Sequence, residues 1–433
     1  MIGGPRLHCQ PRHIMNTPGS PDELVPSPDS LTNPNASDLR EAAPRAESIF
    51  IDDDIAVVAD TRSAIASPSP IVATPRGLPG PGLPEALLWV IGCFAAHIVG
   101  FVAMFVLALV LTIAATGAPP SESEVDQIVK EQMLFLTGGE QLVFVLFAMA
   151  AIVLRFGSRR ASQLGLRLPR FGHGLLVVAL MLPLAFVSGE CFHVATLVWQ
   201  AGVESVNESL AGESWWIPIH EFIVSLDKNQ AMKVMKEMSG APLPLLLMII
   251  AVAPALGEEM IFRGLIGRGL VARWGIVRGV LLTSLLFGVV HMHPAHALAV
   301  IPLGIAMHFV YLTTRSFWAP VLLHFLNNAW ATIVTKYATE HDAQGLLAEN
   351  SGLPLPVLIE SLALAGAIAL LLWQTRVRFV LPTGEHWSPQ YATVETPPPH
   401  LTAESHVHPP TRLLLVHGLL TFAAFVVVLW QCG

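Results

Sequence analysis

Beyond residue 84 the chain alternates between long apolar runs and short polar breaks, and this pattern predicts its elements before any single residue is considered. The apolar runs are Ala86 to Thr116, Gln141 to Phe156, Gly172 to Trp199, Leu243 to about Leu265, Val280 to Met292 and Ala297 to Leu312, followed by Trp318 to Val334, Leu353 to Trp373 and Leu413 to Trp430. Most approach the length of about 17 to 25 residues that a helix needs to cross a bilayer. The shorter fifth and sixth runs, on either side of Pro294, are the least regular. The prediction is an all-α, polytopic transmembrane helix bundle of about nine spans.

Residues 1–84 have a different character, with fourteen prolines and no long apolar run. They predict a disordered, Pro-rich tail with no cleavable signal. The expected organisation is therefore this tail, a transmembrane bundle over 85–373, a polar His- and Pro-containing linker over 374–411 with no assigned fold, and a last span over 412–433. The loop from Gln200 to Ala241 is too long for a turn. Its Trp215-Trp216 pair suits the membrane interface, and Phe222 to Met238 reads as an amphipathic surface helix.

Composition agrees with this pattern. The chain is 53% hydrophobic and 13% charged, with a mean hydropathy of +0.58, against roughly 25% charged residues in soluble domains. Half of the net charge of -8 lies in the tail, where ten acids face six arginines. No basic patch points to nucleic acid, and the four scattered cysteines suggest neither a disulfide framework nor a cysteine metal site. Arginines mark alternate loops: Arg155 to Arg170, Arg263 to Arg278, Arg315, and Arg376 with Arg378. The loops between them carry none, so the positive-inside rule places the arginine loops and the N-terminus in the cytoplasm.

Chemistry enters where ionisable groups interrupt the apolar runs, because such groups are costly in a bilayer. Glu258-Glu259-Met260-Ile261-Phe262-Arg263 closes the fourth run. Glu259 and Arg263 are four apart and share a helix face, while Glu258 points about 100° away and is available as a base. Phe287 and His291, and then His324 and Asn328, are further pairs at the same spacing, each on one face of a helix. Counted from the cytoplasmic helix ends, Glu258 and His291 lie at a similar depth, roughly 18–20 Å. Each group also has a structural explanation: an internal ion pair for the glutamates, packing for His291, and interhelical hydrogen bonding for His324 and Asn328. Elsewhere, His220-Glu221 fails as a zinc-protease motif because residue 224 is Val. His293 and His296 read as interfacial, His308 as packing, and Glu190 with His193 as a local pair.

Taken in order, Glu258-Glu259-x-x-x-Arg263, Phe287-x-x-x-His291 and His324-x-x-x-Asn328 resemble the CAAX-processing and bacteriocin-processing (CPBP, Abi) intramembrane proteases of the Ras-converting-enzyme type. The resemblance covers about 243–334. It implies an endopeptidase acting on a membrane-associated peptide or protein, with Glu258 and His291 polarising the attacking water. His324 and Asn328 would stabilise the oxyanion or share in metal binding, and Glu259, Arg263 and Phe287 would support the polar core. Glu258, His291 and His324 are enough ligands for a catalytic zinc with one open position, and the same residues also serve a metal-free, glutamate-dependent mechanism. Two other readings stay open. One is a non-catalytic scaffold or immunity protein that keeps the core. The other is a transporter, which would be expected to show internal repeats that the sequence lacks.

Overall fold

The computed structural model describes residues 79–227, 237–238, 240–340 and 352–432. Most of the expected N-terminal tail and the middle of the Phe222–Met238 segment lie outside the described residues. The architecture is all-α. Eleven helical runs carry the described chain: α1 Leu83–Thr116, α2 Glu122–Glu131, α3 Met133–Phe156, α4 Arg160–Leu164, α5 Phe171–Leu210, α6 Trp216–Asp227, α7 Leu243–Val289, α8 Pro294–Thr314, α9 Trp318–Glu340, α10 Leu355–Gln374 and α11 Arg412–Cys432.

Among the described residues, seven of these runs are long and apolar enough to cross a membrane. The protein is therefore an integral, multi-pass membrane protein. The count differs from nine for two physical reasons. The fourth and fifth apolar runs follow one another within α7, parted only by the non-helical Gly275, and α9 is diluted by its own His324, Asn327 and Asn328. Only 11% of the most apolar window of α1 is buried, and only 6% of that of α11. Such apolar faces, with Leu154, Leu413 and Trp430 fully outward, fit a hydrocarbon solvent rather than water.

Local chemistry explains the helix ends. Pro84 begins α1, and Gly117 ends it in the left-handed conformation, its N–H donating to Ile113 O. His293 caps α8, its Nδ1 accepting from His296 N at 3.3 Å, with Pro294 in the first turn. Pro183 and Pro302 lie inside α5 and α8, as bilayer helices tolerate when neighbours satisfy the freed carbonyls.

Helix α7 is the least regular element and the one that matters most for the site. Two stretches, Leu247–Val252 and Met260–Gly267, are wound as π-helix on either side of the α-helical Ala253–Glu259. The run then breaks at Gly275, with φ 75° and ψ 176°, a backbone region open essentially to glycine alone. The break turns the second half of α7 back so that it packs along α8.

Around this element, α5 lies against α8, α9 and α10, α1 pairs with α3, and α10 pairs with α11. α3 and α9 both pack on the first half of α7. One core cluster, including Phe144, Phe262, Phe287, Leu303 and Leu323, runs through the middle. The 374–411 segment, which the sequence left without a fold, contains an antiparallel two-stranded ribbon, β1 Arg378–Val380 with β2 Glu404–His406. It is tied back to the bundle by an ion pair between Arg268 and Glu395, by Arg167 donating to Val394 O at 3.3 Å, and by Val377 N donating to Thr313 O at 2.8 Å.

The break at Gly275 makes a simple test. Nothing lies within 4 Å of a Cβ built there, so Gly275→Ala should act through the backbone alone. It is expected to destabilise the protein by about 1–3 kcal/mol, read as a lowered melting temperature in lipid nanodiscs. Gly366→Ala, equally uncrowded but inside α10, should cause no such loss.

Candidate active site

The polar groups expected from the sequence come from α7, α8 and α9, and one ion pair organises them. Glu259 is completely buried and Arg263 is 1% exposed. Arg263 Nη1 donates to Glu259 Oε1 at 2.8 Å, and Nη2 donates to Gly304 O of α8 at 3.1 Å. The same Glu259 oxygen meets His324 Nδ1 of α9 at 2.9 Å. With the carboxylate already paired to a guanidinium, His324 Nδ1 is the N–H donor. A single carboxylate oxygen thus joins two helices, and the guanidinium adds the third.

For a neutral ring this assignment also sets the other nitrogen. In a neutral ring whose Nδ1 carries the proton, Nε2 holds a lone pair. His324 Nε2 lies 3.8 Å from Glu258 Oε2, beyond a hydrogen bond and near enough for one water to touch both. Glu258 Oε2 has no hydrogen-bond partner among the described residues. Two acceptors therefore face each other with no direct hydrogen bond between them. Glu258 is less enclosed than Glu259, with 16% of its side chain exposed against none.

Phe287 is the apolar hub. Its ring lies 4.6 Å under the Arg263 guanidinium and makes edge contacts with the rings of Phe262, His291 and His324 at 5.2, 5.0 and 5.9 Å. His291 lies in the turn just after the second half of α7. Its Nδ1 donates to Phe287 O at 2.9 Å, because a carbonyl can only accept, and its ring meets that of His296 at 4.9 Å. No hydrogen bond or ion pair joins His291 to Glu258 among the described residues. The histidine in contact with Glu258 is His324. Asn328 Nδ2 donates to Ile250 O, in the first π-helical stretch, at 3.2 Å, and its Oδ1 accepts from Asn327 at 3.3 Å.

Two neighbours, His97 and Glu140, were not singled out in the sequence, and two others, His296 and His308, were read there without a link to the site. His97 of α1 pairs with Glu140 of α3 at 2.5 Å. The His97 ring stacks on Phe144 at 4.3 Å, and Phe144 presses on Gly257, where a Cβ would stand 2.7 Å from its ring. The residue before Glu258 must therefore be glycine for α3 to approach. His97 and Glu140 carry no local signal, since His97 is a single polar residue in an apolar run, Glu140 lies just before the next one, and they are far apart in the chain. His296 is turned onto His291 instead of resting at the interface alone. His308 is buried beside Gly267, whose absent Cβ would meet its ring.

For zinc, the donor set matters more than its composition. Among the described residues no group of three or more His, Cys, Asp or Glu side chains is gathered to hold a metal ion. Glu258 and His324 approach each other, while the contacts of His291 are with Phe287 and His296. The three expected ligands are therefore not gathered into one group among the described residues.

Comparison with known proteins gives a consistent picture. Residues 240–330 match the family described as type II CAAX prenyl endopeptidase Rce1-like. That stretch contains Glu258, Glu259, Arg263, His291, His324 and Asn328. The chain is also 29% identical over 91 residues to "Putative membrane peptidase YdiL" of Bacillus subtilis (strain 168). That match covers 21% of this chain and 37% of the relative's length. No solved structure matches. The likeness to the CPBP membrane proteases read from the motifs is thereby shown for this stretch.

The buried cluster makes a stability prediction. Arg263→Met leaves Glu259 without its cation in a nonpolar interior and should cost about 3–5 kcal/mol, whereas the paired change Glu259→Gln with Arg263→Met should recover much of that loss. Chemical unfolding in mixed micelles would measure both. Equal losses in the single and the double variant would contradict the pairing.

Proposed function

We propose that this protein is an intramembrane endopeptidase that hydrolyses a peptide bond of a membrane-associated peptide or protein. The observation that carries the reading is the pair of acceptors, Glu258 Oε2 and His324 Nε2, 3.8 Å apart. A water between them gives one O–H to each, which raises electron density on its oxygen and aims a lone pair away from both. As that oxygen attacks the scissile carbonyl, its proton passes to the Glu258 carboxylate. The same proton then goes to the leaving amine as the tetrahedral intermediate collapses, so Glu258 ends as it began.

The supporting roles follow from the contacts. Glu259, held by Arg263, keeps the proton of His324 on Nδ1 and so keeps Nε2 available to the water. An amide NH2 has two donors. Asn328 commits one to Ile250 O, and the other suits an oxyanion. This division departs from the sequence expectation, in which His291 shared the water. Here His291 flanks the cluster across Phe287, its Nε2 carrying the lone pair once Nδ1 donates to Phe287 O.

The arginine-bearing loops support a cytoplasmic N-terminus and substrate access from the cytoplasmic half of the bilayer. A non-catalytic scaffold is the competing reading, and it predicts that substitutions at Glu258 leave biological activity unchanged.

The test uses full-length protein in liposomes with a fluorogenic membrane-anchored peptide ending in a CAAX sequence, supplied farnesylated and unmodified. Glu258→Gln keeps shape and volume and should reduce cleavage by about 10²–10⁴-fold, the range of general-base catalysis, with the melting temperature retained. Cleavage by Glu258→Gln at the wild-type rate would refute the assignment.

A further inference from the structure

An open cavity with a mostly apolar lining lies where α10 ends, β1 begins and α11 starts. It has a volume of about 590 Å³ and is open on one side. Its walls include Trp373, Arg376, Arg378 and His408, together with Leu370 of α10 and Leu414 of α11. No acidic residue lines it. The nearby Glu404 of β2 is exposed and does not contribute.

We propose that this cavity binds the phosphate-bearing headgroup of an anionic phospholipid. The polar wall is cationic and built in place. The Arg376 guanidinium stacks 4.1 Å over the Trp373 ring and donates from Nη1 to Trp373 O at 3.0 Å, which fixes its plane. Arg378 is set by its place in β1, in register with His406 of β2. Its Nε is buried and has no hydrogen-bond partner among the described residues. That atom is out of a ligand's reach, and the guanidinium edges of Arg376 and Arg378 that line the cavity are the donors whose fork geometry matches a phosphate.

The apolar wall selects a lipid over free phosphate. Leu370, 55% exposed, and Leu414 belong to two helices that are long and apolar enough to span the membrane. Trp373, at the last turn of α10, is the kind of residue found at headgroup depth. An acyl chain would follow the leucines while the headgroup meets the arginines. Free phosphate would use only half of the site. The arginines also belong to a loop assigned to the cytoplasmic side, where anionic lipids concentrate.

The experiment is native mass spectrometry of the full-length protein extracted from vesicles of phosphatidylcholine with phosphatidylglycerol. Wild-type protein should retain phosphatidylglycerol over phosphatidylcholine. R376Q/R378Q should reduce that preference about tenfold, the scale of losing a charged hydrogen bond. R159Q/R160Q, which removes the same charge from another arginine loop, should leave the preference intact. No preference in the wild type, an undiminished preference in R376Q/R378Q, or an equal loss in R159Q/R160Q would overturn the proposal. A separate arm adds inorganic phosphate to protein in pure phosphatidylcholine. A melting shift there, lost in R376Q/R378Q, would assign the site to free phosphate and overturn the lipid reading. Should R376Q/R378Q fail to fold, indole quenching decides the matter. Brominated phosphatidylglycerol should quench the wild type more than brominated phosphatidylcholine does, and W373F should lose most of that difference. The same difference in both proteins would contradict the site.

Discussion

A guanidinium enclosed in a membrane bundle must be neutralised where it stands, and the structure around Arg263 follows from that requirement. Isolated ions of this kind cost several kcal/mol each even after relaxation. Arg263 is answered by Glu259 one turn earlier, by the Gly304 carbonyl on α8 and by the face of Phe287. Glu259 in turn holds His324 of α9. In lipid the hydrophobic effect does not drive helices together, so packing and interhelical polar contacts set their arrangement. One ion pair with its three neighbours locks α7, α8 and α9 in register, and the orientation of His324 toward Glu258 is a consequence of that lock.

The backbone of α7 serves the same end. π-helical stretches occur disproportionately at functional sites because each extra residue rotates the following side chains. Here they bracket Ala253–Glu259, so Glu258 and Glu259 are presented on a short α-helical segment between two widened turns. The first stretch also supplies the Ile250 carbonyl that holds Asn328. The close approach of α3 at Gly257 brings His97 and Glu140 into the same neighbourhood from helices outside the 240–330 match.

Much of the fold was legible in the sequence because a bilayer imposes strong rules. Apolar length gave the helices, and i,i+4 spacing gave the Glu259–Arg263 pair, since a helix brings such residues together whatever surrounds it. Features that depend on the rotation of one helix against another were not legible. Nothing in the spacing says that His324 turns Nδ1 to Glu259 and Nε2 to Glu258, or that His291 meets Phe287 and His296 instead of Glu258. The π-helical winding has no propensity signal. The β1–β2 ribbon escaped notice because each strand has three residues and its partner lies far along the chain. The fourth and fifth apolar runs, read as separate spans, are the two halves of α7 on either side of the non-helical Gly275.

The central claim is that Glu258 and His324 act on one water as a unit, with Glu259 and Arg263 holding the histidine. Groups that work as a unit lose activity non-additively. The most direct measurement is a double-mutant cycle on cleavage rate with Glu258→Gln, His324→Ala and the two combined, each checked for folding. The account predicts that the double variant is no slower than the worse single variant. Losses that multiply would mean that the two residues act independently, and would contradict the shared water.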